Sequence, residues 1–379
     1  MKTRILLVVL TWSIVAACTP LTTPPTGSAT EAGASASPAI NEQTRGELQA
    51  LLQKQVSALS GHDQNGYLAT FDPDRGALRR CANEAFDVAS RQGVGAPNQI
   101  AKIDAWGSYV RAWVQESSGL RRIFFKKIDG KWEQSEPKEE ELGGEKKITT
   151  QDVEINYWAI DQDVIDGLTK VTLSAKDIVI ANLLSDSRRD ALVVRFYPTR
   201  ASAGIVGCTV AGYHVTNSLI DPSIRVVRYW LDASGQAAPF TLALITHEWL
   251  HWAQDQFSPG ITARLPFWLT EGWPDYVGQA RTPATEKFVM CQTTTPTLKQ
   301  LEDGPDPNGP AELQAQWYSF YNLMVEYLYA TYGGKDAYRN LLVAFKEDAV
   351  PANVFPKVLK VSAQQYYDDW KAWAKKKLC

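Results

Sequence analysis

Leu48, Leu51, Leu52, Val56 and Leu59 recur at helical spacing, which predicts an amphipathic helix over residues 42–60. The run "GHDQNGYLATFDP" breaks it, and "ALRRCANEAFDVAS" predicts a second helix. Two extended runs follow, "KIDAWGSYVRAWVQES" and "LRRIFFKKIDGKWEQSEP", rich in β-branched and aromatic residues. Asp129-Gly130 stands between such flanks and predicts a hairpin turn. Helices followed by consecutive antiparallel strands make a small α+β unit.

A charged, glycine-containing stretch, "EPKEEELGGEKK" at 136–147, reads as a domain boundary. Beyond it the pattern predicts a strand at "VEINYWAI", a helix at "DQDVIDGLTKVTLSAKDIVIANLL" and a strand at "DALVVRFYP". Two more strands are expected at "GCTVAGYHVTNS" and "SIRVVRYWLDA". From about Pro239 the chain turns helical to its end, broken at prolines and glycines. The expected architecture is therefore α+β: a domain at 42–148, then a domain at 149–379 with a β-rich half and a helical half.

The N-terminus departs from these patterns. "MKTR" precedes the apolar run "ILLVVLTWSIVAA", too short to span a bilayer comfortably, and small residues then meet Cys18. Val15-Ala16-Ala17-Cys18 resembles the bacterial lipobox. That resemblance implies a signal peptide at 1–17, a diacylated Cys18, and a membrane-anchored protein on the extracytoplasmic face. Residues 18–41, rich in Thr, Pro, Ser, Gly and Ala, read as a flexible tether. The net charge of −3 and the lack of a long basic block argue against a nucleic-acid partner. Cys81, Cys208, Cys291 and Cys379 remain, with spacing that fits no zinc ribbon; outside the cytoplasm they permit disulfides in three full connectivities.

The chemistry concentrates at "HEWLHWAQDQ". His247 and His251 are four apart, on one face of a helix, and can bind one ion through neutral imidazoles. Glu248 lies beside that face and can aim its carboxylate at a water in the open position. Leu242, Ile245, Trp249 and Trp252 form an apolar stripe on another face, which would bury the helix and leave the histidines toward a cleft. A catalytic zinc needs a third ligand, and "FWLTEGWPDYV" offers Glu271, with nineteen residues between it and His251. His247-Glu248-x-x-His251 followed by Trp268-Leu269-x-Glu271-Gly272-x-x-x-Tyr276 resembles the gluzincins of the peptidase MA superfamily, relatives of thermolysin and aminopeptidase N.

The resemblance implies one Zn2+ held by His247, His251 and Glu271, with Glu248 as general base and a peptide or protein as substrate. It also implies a tyrosine that stabilises the oxyanion. In "QWYSFYNLMVEYLYATYGG" Tyr318 matches that position best, Tyr321 is the reserve, and His214 is a weaker candidate. If 271–275 is helical, with Pro274 in the first turn, Asp275 shares the side of Glu271 and can orient a zinc histidine. Nothing upstream resembles the glycine-rich amine-binding strand of the aminopeptidases, so an endopeptidase is favoured, with "AGYHVTNS" or "IRVVRYW" supplying an edge strand for substrate. Residues 42–148, by element order and size, resemble the nuclear-transport-factor-2-like cone. Two other functions compete: a non-catalytic zinc-containing binding lipoprotein, and a zinc hydrolase acting on a non-peptide amide or ester.

Overall fold

The computed structural model describes residues 40–92, 98–150, 152–183, 192–204, 208, 211–214, 223–279, 281, 283–305 and 311–379. Helix α1 (Glu42–Ser60) starts at Asn41, whose side chain accepts the Thr44 backbone N–H at 2.8 Å. A short α2 (Gln64–Leu68), capped by Asp63, and α3 (Gly76–Gln92) follow. Strands β1 (Ile100–Trp106), β2 (Tyr109–Glu116), β3 (Gly119–Ile128) and β4 (Lys131–Ser135) then form an antiparallel meander in sequence order. Asp129 and Gly130 turn β3 into β4 with φ of 48° and 78°, the left-handed pair that a tight hairpin demands. Leu48 and Leu52 of α1 pack on Val110, Ala112, Val114, Ile123 and Phe125 of this sheet, so the predicted apolar stripe is the buried one.

The charged stretch at 136–147 is more structured than its composition predicts. It carries a 3-10 turn at Glu139–Glu141, a buried Leu142 and the start of β5 (Glu145–Thr149). Strand β5 escaped prediction because it lies at the sheet edge with mostly exposed, charged side chains, leaving no alternation to read. It pairs antiparallel with β6 (Val153–Trp158); helix α4 (Ile165–Asn182) then crosses to β7 (Leu192–Phe196), parallel to β6. A one-turn α5 (Arg200–Ala203), β8 (Gly212–His214) and β9 (Ile224–Val226) complete a sheet of order β5-β6-β7-β9-β8. The run at 223–233, expected as one strand, stays in this sheet only at 224–226. Past it the Trp230 N–H goes to Thr241 Oγ1 at 2.7 Å, and Leu231 pairs with Leu120 of β3 instead.

The helical half begins at Pro239, the first residue of α6 (Pro239–Phe257), where a missing N–H costs nothing. After it come α7 (Phe267–Gly278), α8 (Pro283–Gln292), α9 (Leu298–Asp303), α10 (Ala311–Tyr332), α11 (Lys335–Glu347), α12 (Pro351–Val358) and α13 (Ala363–Leu378). Helix α7 is clamped between α6 and α10 at glycines. A Cβ on Gly272 would meet the Tyr321 carbonyl at 2.5 Å, and one on Gly278 would meet the Ala243 carbonyl at 3.2 Å. Trp273 stacks on Tyr338 and Trp268 on Tyr366, which fixes the roll of α7.

The cysteines pair Cys81–Cys208 and Cys291–Cys379, one of the three connectivities the sequence allowed. The first joins α3 to the segment before β8. Arg111 of β2, bonded to Asp104 and Asp163, and Arg122 of β3, bonded to Asp161, tie the first sheet to the segment entering α4. Described residues from 40 onward thus belong to one compact unit of mixed α+β architecture.

Candidate metal centre

Helix α6 is apolar on most of its circumference. Ile245, Trp249, Leu250, Trp252 and Ala253 are buried in the main core, and Leu242 packs against it. This leaves His247 and His251 on the side facing α7. Their Nε2 atoms lie 3.2 Å apart. Glu271, one turn into α7, places Oε2 3.4 Å from His247 Nε2 and 3.3 Å from His251 Nε2. The three donors therefore form a nearly equilateral triangle. Ligands at three corners of a tetrahedron, with bonds of about 2.0–2.1 Å, stand about 3.3–3.4 Å apart. Among the described residues this is the one group of three or more His, Cys, Asp or Glu side chains able to hold a metal ion. Two imidazoles and a carboxylate are a donor set suited to zinc, so the residues fit the ion.

What holds the histidines lies behind them. His247 Nδ1 is 2.8 Å from Asp275 Oδ1, so Asp275 stands where its spacing from Glu271 predicts, and Arg281 Nε donates to its other oxygen at 2.7 Å. His251 Nδ1 is 2.9 Å from Gln254 Oε1. With Nδ1–H donated to these acceptors, each ring keeps its Nε2 lone pair for the triangle. Gln254 is itself fixed, since its Nε2 donates to the Thr270 carbonyl at 2.9 Å and the Tyr338 hydroxyl at 2.8 Å.

Pro274 explains why that carbonyl accepts. It sits inside α7, not in its first turn as the spacing suggested, and lacks the N–H that would otherwise bond the carbonyl four residues back, Thr270. The proline is tolerated because Gln254 takes the freed acceptor. Sequence reading missed Gln254; a glutamine three residues past a ligand histidine and a proline inside the next helix were the available signals.

Electrostatics agree with the geometry. Burial opposes charge on His247, yet Asp275 and Glu271 outweigh it and raise its pKa to about 10. His251 is also raised, burial being outweighed by Glu271. For Glu271 burial pushes upward, and the two histidines pull it well below the usual carboxylate range. Glu248 is different: burial raises its pKa against the opposing pull of both histidines. Its Cγ would stand 3.3 Å from a Cβ on Gly212, so the glycine lets β8 run close beside it. Of the two segments expected to offer an edge strand, the first contributes β8, which ends the sheet among the described residues, while 215–218 lie outside them; β9 of the second lies inside the sheet.

Tyr318 of α10 points toward the cluster, its ring 6.2 Å from that of His247 and under the Arg281 guanidinium at 5.2 Å. Burial first, then Glu271 and Asp275, keep its hydroxyl protonated. Tyr321 is fully buried among Phe267 and Trp317, in the packing against α7. His214 on β8 is buried, with Nδ1 3.8 Å from Asp255 Oδ2; burial and then His251 hold it neutral, with a pKa of about 3. Cys18 lies outside the described residues. A scan against protein-family models and a search of curated proteins each return no match to this chain.

Proposed function

We propose that residues 149–379 form a zinc-dependent peptidase of gluzincin type, acting on peptide or protein substrates outside the cytoplasm from a lipid anchor at Cys18. The observation that carries this reading is the donor triangle of 3.2–3.4 Å made by His247, His251 and Glu271. Bound there, zinc would supply Lewis acidity toward a scissile carbonyl and would lower the pKa of water toward about 7.

The chain's own residues do the rest. Glu248 takes a proton from the attacking water and hands it to the amine nitrogen as the C–N bond breaks. Its raised pKa suits a group that must be a base and then an acid. Tyr318 donates its hydroxyl to the carbonyl oxygen as that oxygen gains charge. Among the described residues β8 pairs only with β9, so its outer edge, beside Glu248, offers main-chain groups to an extended substrate. Two disulfides favour an oxidising compartment. Among the described residues no helix is long and apolar enough to cross a membrane.

The test compares the parent with Glu248→Gln and Tyr318→Phe for zinc content, melting and cleavage of a mixed peptide library. Both variants should melt and bind one zinc like the parent. The first should lose at least about two orders of magnitude in rate, and the second about one to three. Failure of the parent to take up zinc sinks the metal assignment. Equal cleavage by parent and Glu248→Gln sinks the mechanism. Cleavage of amides or esters but never peptides moves the substrate class to a non-peptide bond.

A further inference from the structure

Arg281 stands beside the donor triangle and is only partly used there. Helix α7 ends at Gln279, whose φ of 54° is left-handed and whose N–H returns to the Asp275 and Tyr276 carbonyls. The chain thereby leaves the helix in a tight turn, and Arg281 comes to lie against Asp275. Asp275 then serves two partners, His247 Nδ1 through one oxygen and Arg281 Nε through the other. The guanidinium also lies over the Tyr318 ring at 5.2 Å, and that ring is 6.2 Å from the ring of His247. Carboxylate on one edge and aromatic face below hold the planar group in one orientation.

The bond to Asp275 uses one of the five N–H groups that a guanidinium carries. Among the described residues the terminal amino groups, Nη1 and Nη2, donate to no protein atom. Neither is shut away from solvent, and the side chain is 21% exposed. Glu286 of α8, a second carboxylate within the field of Arg281, is engaged by Asn322. Holding Asp275 takes one donor, so the terminal pair has no task in the metal centre itself. A forked pair of donors, held flat and open to water, is the geometry that takes a carboxylate through two parallel hydrogen bonds.

We propose that Arg281 determines substrate specificity by binding a carboxylate of the peptide close to the bond that is cut. The inference rests on the peptidase reading and adds a substrate class to it. The carboxylate is the free C-terminus of a short peptide or the side chain of a glutamate or aspartate; the chemistry is the same. The ring distances through Tyr318 put the guanidinium within about four residues of extended chain from His247, at about 3.3–3.6 Å per residue. Because the fork is already oriented, little side-chain freedom is lost when the substrate arrives.

Three octapeptide libraries, all blocked at the N-terminus and otherwise free of acidic residues, test it. One keeps a free C-terminal carboxylate, one is amidated with a single glutamate placed at each position in turn, and one is amidated with glutamine at the same places. Two measurements are made: cleavage by the zinc-loaded parent, and retention on ultrafiltration by the zinc-loaded Glu248→Gln variant. At least one carboxylate library should be cleaved and retained at least about tenfold better than the glutamine library, the scale of hydrogen bonds to a charged group. A gain confined to the first library assigns the C-terminus, and one confined to the second assigns the side chain. Adding Arg281→Gln should bring the ratio close to one, and Arg281→Lys, which keeps the charge without the fork, should fall between. An Arg281 that only held Asp275 would change all libraries alike and leave their ratio untouched, which would overturn the proposal. Equal handling of all three libraries, or retention of none, overturns it without recourse to a variant at 281. A preference in retention with no cleavage by the parent would instead sink the peptidase reading and leave the carboxylate site standing.

Discussion

The cluster around His247 and the cavity beside Arg228 both take ionisable groups out of water, and they differ in what surrounds those groups. In the cluster, each histidine has a protein partner behind it: Asp275, held by Arg281, for His247 and Gln254 for His251. What remains open is a triangle of donors sized for an ion. The cavity between α1, α2, α3 and the first sheet is lined by four arginines, Glu136, polar side chains such as Gln55, Asn98 and Gln134, and an apolar wall. The first region is preorganised by side-chain hydrogen bonds within neighbouring helices, and the second by a covalent link across the chain. A preorganised donor set points to a cation.

Breaking the covalent link should give the largest effect. The Cys81–Cys208 bridge closes 127 residues, and removing such a bridge costs about 2–5 kcal/mol of stability. The double variant Cys81→Ser, Cys208→Ser should therefore unfold at distinctly lower denaturant, with zinc affinity retained. Parallel loss of zinc would mean that the two regions are not independent.

Asp275→Asn attacks the other region. It keeps an acceptor for His247 Nδ1 but removes the charge, so zinc affinity should fall about 10–100-fold. Competition against a chelator of known affinity measures this, and an unchanged zinc affinity would show that Asp275 does not orient the ligand.

The smallest effect is expected from Pro274→Ala. The new N–H competes for the Thr270 carbonyl and leaves Gln254 Nε2 with only Tyr338. Helix α7 should gain stability, since alanine suits a helix interior better than proline. Zinc affinity should nonetheless drop, by less than about tenfold, the lower edge of the range for groups behind a ligand. A higher melting temperature with unaltered zinc binding would show that Gln254 holds His251 without help from the proline.

The helices were the most legible part of the chain, and the reason is locality. A stripe such as Leu48, Leu52 and Val56 lies within a few turns, and so does the offset that puts His247 and His251 on one face. The turn at Asp129-Gly130 was legible because those residues accept positive φ. Strand β5 was not, since an exposed edge strand of Glu and Lys resembles a loop until its partner β6 is known.

Within the candidate site, residue spacing determined which side chains could be ligands, base and orienting carboxylate: His247, His251, Glu271, Glu248 and Asp275. Spacing could not determine that Glu271 reaches both histidines at equal distance, because that depends on the approach of α6 and α7 at Gly278 and of α7 and α10 at Gly272. Nor could it find the Gln254 link, which needs a carbonyl freed in a different helix. Cysteine counting allowed three pairings, and only folding, which brings Cys81 to Cys208 and Cys291 to Cys379, selects one. Periodicity and motif spacing are short-range quantities that a linear sequence carries by itself. Donor distances, cysteine partners and the balance of buried charge are sums over residues remote in sequence, and the packing of the whole chain decides them.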